Sequence, residues 1–425
     1  MHNVPRSVSP WMSFPVPQFP PLESGARVEV CVVGAGIAGM TTAYLCAKKG
    51  KRVMVLDDGA IGSGMTGRTT AHLMTEIDDR YYELEKVHGE ERARLAAQSH
   101  AAAVEAIEAI VANEGIDCDF TRLDGFLFNP PGGDPEELLR EYAAALRCGV
   151  DVQWADRAPI DAMDTGRCLR FPRQGQFHPL KYLSGLARAF QRLGGLLHTG
   201  VHVVDVADGT PARVLTASGH TVECDAAVVC TNTPINDRVA IHTKQAPYMT
   251  YVIGARVPRG TVATALLWDT LDEYHYVRLD VPDGELLIVG GEDHKTGQAD
   301  DGERRFDALE RWTRERFPMA REIAYRWSGQ VMETIDYLAY AGRNPGDDHV
   351  FVATGDSGMG MTHGTLSAIL ITDLVNGVSV PWAEVYDPAR FRARAAGEYA
   401  RENANVARQY TDWVRPGEVE AAGEI

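Results

Sequence analysis

Three things are scarce in this sequence, and each scarcity argues against a class of function. Positive charge is the first: 42 Lys and Arg stand against 59 Asp and Glu, a net charge of −17 over 425 residues. Such a chain repels phosphate backbones and anionic lipid, so neither nucleic acid nor a membrane is expected as a partner. Paired cysteine is the second. Cys31, Cys46, Cys118, Cys148, Cys168, Cys224 and Cys230 are scattered, with no CxxC and no Cys-x-His. That leaves no zinc or iron-sulfur signature, so no metal is expected and most of the thiols read as small buried hydrophobes. Long apolar runs are the third. None approaches the ~18 residues of a spanning helix, and the opening "MHNVPRSVSPWMSFPVPQFPP" lacks the apolar centre of a signal peptide, which points to the cytoplasm.

What is present is an ordinary globular composition, 45% apolar and 24% charged, on a chain long enough for two domains. Residues 1–25 carry six prolines and read as an extended arm along the surface. Residues 26–235 form a first domain with a small insert near 118–145. The stretch "EERARLAAQSHAAAVEAIEAIVANEG" reads as a long helix, with Leu95, Ala103, Ile107 and Ile110 at helical spacing and Gly115 as its cap. Residues 236–325 change character: "APYMTYVIGARVP", "YHYVRLDV" and "GELLIVGGED" are β-branched and aromatic runs, as in an antiparallel sheet inserted into the first domain. Residues 326–380 return to that domain, and 381–425 follow as a C-terminal helix and linker.

The most informative stretch is "VEVCVVGAGIAGMTTAYLCAKKGKRVMVLDD", residues 28–58. It reads strand, Gly34-Ala35-Gly36-Ile37-Ala38-Gly39, helix, strand, acid. In such a unit the first glycine makes the turn, the second admits a pyrophosphate to the backbone, and the third packs helix on strand. The helix N-terminus offers its positive end to the phosphates. Asp57, 57 − 39 = 18 residues past the last glycine, stands where an acid binds the adenosine ribose, with Asp58 beside it. The unit binds a dinucleotide, and alone it leaves NAD and FAD both open. "IGSGMTGRTTAH" after the acid can offer donors to phosphate and ribitol oxygens or be a plain surface loop. "GDSGMGMTH", residues 355–363, leads into a second helix whose N-terminus suits a flavin ring.

These three segments, in this order and with a β-rich stretch before the last, resemble the D-amino-acid oxidase superfamily of flavoproteins. The strings "TGRTTAHLM", "LWDTLDEYHYVRL", "IVGGEDHKTGQ", "RWSGQVMETIDYLAYAGR" and "ATGDSGMGMTHGTL" resemble the bacterial branch that usually carries a C-terminal Rieske iron-sulfur domain. This sequence ends, at "DWVRPGEVEAAGEI", about where that domain would begin. The resemblance implies an α/β fold: a Rossmann-like FAD-binding domain, a mixed sheet with helices, plus an inserted antiparallel β-sheet substrate domain. It implies FAD contacts from Gly34, Gly36, Ile37, Ala38, Gly39, Asp57 and Asp58. Further contacts come from Thr66, Gly67, Arg68, Thr69 and Thr70, from Val203 and Thr231, and from Gly355, Gly358, Gly360 and Met361. The implied reaction is hydride removal from a carbon bearing an amine, in an amino acid or an amine.

On the substrate side, a strand through "YHYVR" puts Tyr274, Tyr276 and Arg278 on one face. Tyr276 and Arg278 then either clamp a substrate carboxylate or belong to an exposed face with Arg in a surface ion pair. His363 is a donor or proton shuttle at the flavin, or a packed histidine. Trp327 and Gln330 are pocket wall, and Trp327 equally a core residue. Some relatives attach FAD through a histidine after the acid. The spacing of His72 matches theirs poorly, so non-covalent FAD is expected. Oxygen-using relatives place a lysine on the insert strand beneath the flavin. The matching strand "ELLIVGG" has none, and Lys295 falls in an expected loop, which points to an electron carrier other than oxygen, such as a Rieske centre. An alcohol or sugar oxidoreductase, an electron-transfer subunit without its own substrate, and an NAD protein remain as alternatives.

Overall fold

The computed structural model describes residues 7–235, 241–271, 274–280, 283–297 and 301–397. The expected C-terminal helix and linker lie, from 398 on, outside the described residues. Strand β1 (Ala26–Val33) is buried on both faces because its residues alternate between two apolar clusters. Val30 and Val32 join one with Met40, Ala43 and Tyr44; Val28, Cys31 and Val33 join another with Val214 and Val350. A near-continuous apolar strand is what a parallel sheet with both faces covered requires. β1 lies between the parallel strands β2 (Val53–Asp57) and Thr221–Val229. Val350–Thr354 and Leu196–Thr199 extend the parallel set on either side. Tyr340–Arg343 closes one edge antiparallel, and the hairpin Val203–Ala207 and Ala212–Thr216 joins Thr221–Val229.

Helix α1 (Ile37–Lys48) follows β1 after one glycine turn and packs against the late helix Gly360–Val375. Gly364 permits the close crossing, since a methyl there would stand 2.7 Å from Ile37 Cγ2. The long helix Glu90–Glu114 forms and is closed by Gly115 in the left-handed region.

The second sheet differs from the expected simple insert. Gln245–Arg256, Leu266–Asp269, Tyr276–Leu279, Leu286–Lys295 and Ile323–Thr334 are joined by Thr121–Phe128, Gln153–Ala155, Cys168–Gln176 and His72–Leu73. The parallel pairing of Leu266–Asp269 with Thr121–Phe128 stitches the two sources together. Gly125 makes it fit: a methyl there would meet the Trp268 ring at 2.7 Å. The expected boundary at 325/326 therefore falls inside a strand, and the insert near 118–145 supplies a strand of the same sheet. The N-terminal arm is also more than a surface segment. Trp11 is buried, its Nε1 donates to Thr69 O at 2.7 Å, and Ser9 Oγ donates to Gly67 O at 2.6 Å. None of the described helices is long and apolar enough to cross a membrane.

Candidate active site

A cavity of about 740 Å³ runs from the C-terminal end of β1 across to the second sheet. That size and position, outside the carboxyl ends of parallel strands, suit a cofactor and a small substrate. One wall is made mostly of backbone. Gly34, Gly36, Ile37 and Ala38 form its floor at the start of α1. Gly34 sits at φ +107, and Gly36, at the N-cap, puts no side chain between the first turn of α1 and the cavity. Thr66 Oγ1 accepts from Ile37 N at 3.0 Å. Asp57 and Asp58 line the end of β2. Burial raises the Asp57 carboxyl above its usual range, although its oxygens accept from Ala35 N at 2.5 Å and Gly59 N at 2.7 Å. Arg68, Thr69 and Thr70, with Val203 and Thr231, continue this wall. Gly355, Gly358, Gly360 and Met361 close it at the N-terminus of the late helix, which lacks a side-chain cap.

Gly39 and Gly67 are not on the lining. A methyl on Gly39 would stand 1.9 Å from Gly34 O, and one on Gly67 would stand 2.6 Å from Gly62 O. Both glycines act by close packing behind the wall, which for Gly39 is the third-glycine role.

The opposite wall is made of side chains. Tyr274 and Tyr276 line it with ring centroids 5.4 Å apart. The Tyr276 ring lies on Gly290, where a methyl would stand 2.2 Å from it, and its hydroxyl pairs with Thr250 Oγ1 at 2.7 Å. Tyr274 Oη donates to Asp78 Oδ2 at 2.9 Å. Asp356 accepts from Met332 N at 3.1 Å, and burial pushes its carboxyl up to about 6. Trp268 and Gln330 complete this side.

His363 lines the cavity and is buried. Its Nδ1 donates to Asp356 O at 2.7 Å, which leaves Nε2, 3.1 Å from His100 Nε2, as an acceptor. Burial holds His363 down to about 4, so it is neutral at pH 7. The packed reading describes it, with one edge on the cavity.

The comparisons with known proteins settle the class. A family profile described as FAD dependent oxidoreductase (DAO) matches residues 29–374. The chain belongs to the DAO family. A Bacillus subtilis protein described as a Rieske 2Fe-2S iron-sulfur protein, YhfW, is 28% identical over 88% of this chain and 74% of its own length. Gamma-glutamylputrescine oxidoreductase of Escherichia coli is 28% identical over 84% of this chain and 86% of its own length. Among solved structures, glycine oxidase from Geobacillus kaustophilus superposes with a TM-score of 0.72 at 22% identity, covering 86% of this chain and 99% of that one. At that identity the likeness is one of fold, and it matches the two-sheet architecture described above.

The backbone-made wall fits the FAD of a DAO enzyme: a helix N-terminus, a glycine floor and an acid at the end of β2. Two substrate-side expectations are corrected by the geometry. Arg278 is fully buried but off the cavity lining, and its NH1 donates to Thr70 O at 3.0 Å, Ala71 O at 3.1 Å and Phe177 O at 3.2 Å. Its NH2 holds Asp280 Oδ1 at 3.1 Å, and the guanidinium stacks over Trp11 at 5.3 Å. A buried guanidinium needs partners for its donors; the carbonyls serve NH1 and Asp280 serves NH2, while Nε is buried without a hydrogen-bond partner. Neither the clamp nor the surface ion pair describes it. Trp327 is likewise buried off the lining, its Nε1 donating to Arg68 O at 2.8 Å. Both residues hold the Thr66–Ala71 loop that the cofactor would contact. Lys295 ends the strand Leu286–Lys295 instead of standing in a loop, and it is off the cavity lining.

Asp78, Thr250, Trp268 and Asp356 line or brace the substrate wall and were not among the expected site residues, although Asp356 lies within the stretch "GDSGMGMTH". The one available signal was glycine: Gly290 and Gly358 stand where Tyr276 and Asp78 press on the backbone, at 2.2 Å from a would-be methyl in each case.

Proposed function

We propose that this chain removes a hydride from a carbon bearing an amine, in an amino acid or an amine, and passes the electrons to a carrier other than oxygen. The observation that carries the reading is one cavity shared by a dinucleotide cradle on one wall and Tyr274, Tyr276, Asp78 and Asp356 on the other. Bound FAD supplies the hydride acceptance. The N-terminus of α1 would hold its diphosphate, Asp57 its ribose, and Thr66, Thr69 and Thr70 its linking oxygens. Gly360 and Met361, at the start of the late helix, would hold the ring end and favour negative charge there. The Asp356 carboxyl, at about 6, is matched to accept a proton near neutral pH. Amine chemistry is supported by the relatives named gamma-glutamylputrescine oxidoreductase and glycine oxidase.

Two observations support the finer points. No lysine is on the cavity lining among the described residues, and the relative described as a Rieske protein fits a Rieske-type acceptor. Both ring nitrogens of His72 have partners, Thr70 Oγ1 at 3.0 Å and Val277 O at 3.4 Å, which supports non-covalent FAD. The test is anaerobic bleaching of the bound flavin by a panel of amines and amino acids against alcohols and sugars, followed by air. Amines or amino acids should bleach it and the colour should return slowly. Bleaching by alcohols alone would overturn the amine reading, and rapid recolouring the acceptor.

A further inference from the structure

The substrate wall is rich in acid and aromatic surface and poor in cations. Among the described lining residues the only Arg or Lys is Arg68, and its NH1 is held by Ser7 Oγ at 2.9 Å, Ser7 O at 3.3 Å and Ser328 O at 3.2 Å. The arginine of the wall's own strand, Arg278, faces the loop carbonyls and Asp280. The histidines of this region, His72 and His363, are held neutral by burial, at about 3 and about 4.

Against this stand four carboxyl groups gathered around Glu333, with Arg80 near Asp78 and Arg305 near Asp293 behind the lining. Asp78 and Asp356 line the cavity, and Glu333 is raised by burial and by Asp79, Asp78, Asp356 and Asp293. Asp293, pushed up to about 7, has Oδ1 shielded from solvent with no hydrogen-bond partner. Tyr274 and Tyr276 add two aromatic rings beside Asp78. Acid groups next to π surface form a site for an ammonium ion. A substrate carboxylate placed here would lose water, find no cationic partner among the described lining residues except Arg68, whose NH1 is already held by Ser7 and Ser328, and meet like charge.

We propose that the substrate is an amine bound as an ammonium cation, with no carboxylate on the carbon to be oxidised, held by Asp78 against the Tyr274 and Tyr276 rings. The proposal rests on the amine reading above and narrows it from amines and amino acids to amines.

The experiment has a binding arm and a reduction arm. In the first, the FAD-loaded protein is titrated without turnover with tetramethylammonium and with acetate at constant ionic strength, following the flavin absorbance. Tetramethylammonium should bind about tenfold tighter than acetate, and Asp78→Asn should weaken it about fivefold, as loss of one charged contact implies. Flavin retained by the variant shows that it folds; if it loses flavin, the wild-type comparison of the two ions decides. In the second arm, putrescine and N-methylbutylamine are compared with glycine and sarcosine as anaerobic reductants. The amines should reduce the flavin about tenfold faster. Tighter binding of acetate, or faster reduction by the amino acids, overturns the proposal and leaves the amine oxidoreductase reading standing. Reduction by alcohols alone overturns both.

Discussion

The two walls of the cavity are built from different materials. On the cofactor wall the chain presents backbone: glycines at the start of α1, amide dipoles at two helix N-termini, and a loop whose carbonyls are gripped from behind by Trp11, Arg278 and Trp327. On the substrate wall it presents side chains from remote segments: Asp78, Thr250, Trp268, the two tyrosines, Gln330 and Asp356. Backbone geometry tolerates few residue types, whereas a side-chain wall can be changed one group at a time. The cofactor wall should therefore fail as a unit, and the substrate wall by increments.

The largest effect is expected where the cofactor wall is tightest. Gly39→Val drives a side chain into Gly34 O, which a methyl would already approach to 1.9 Å. It should cost about 3 kcal/mol and abolish FAD binding, read by thermal unfolding and by absorbance of the purified protein. Arg278→Ala should follow closely, at about 3 kcal/mol, because it strips a donor from three buried carbonyls and leaves Asp280 without its partner. A large rise in the Kd for FAD should accompany it; unchanged affinity would mean that the grip on the loop does not matter.

On the other wall, Tyr276→Phe removes only the hydroxyl paired with Thr250 and keeps the ring on Gly290. A loss of about 1 kcal/mol in stability and an unchanged FAD content are expected. Substrate turnover should fall while the flavin stays bound. Loss of FAD from this variant would erase the distinction between the walls.

The smallest effect is on pH dependence. His363 and His72 are uncharged in the folded cavity, at about 4 and about 3, while each takes a proton near 6.5 when unfolded. The unfolded state binds the extra protons, so stability should fall as pH drops from 6.5 towards 4. Asp356 acts in the other direction: raised to about 6 from 3.8, it takes up a proton in the folded state as pH falls through about 6, before the unfolded chain does, and offsets part of the loss. Thermal unfolding from pH 7 to pH 5 should show a steeper decline in Asp356→Asn than in the wild type.

This division also explains what the sequence could disclose. Gly34, Gly36 and Asp57 were legible because the turn, the helix start and the strand end are local and demand particular residues. The two-sheet architecture was legible only in part. Its pairing of Thr121–Phe128 with Leu266–Asp269 joins segments about 140 residues apart, and no local pattern records that. Alternation correctly placed Tyr276 and Arg278 on one strand, yet the fate of the Arg278 side chain depended on the carbonyls of Thr70, Ala71 and Phe177, in two segments that both lie far off in sequence. Asp78 became a site residue through Tyr274, on the other side of the fold. Such meetings are tertiary and leave only indirect traces, as at Gly290 and Gly358.

The most direct test of the central claim is the chromophore itself. The purified protein is denatured, the precipitate removed, and the supernatant assayed for its flavin by absorbance and mass. A yellow protein that releases FAD, about one per chain, into the supernatant is expected. A colourless folded protein, or colour that stays with the precipitated chain, would contradict it.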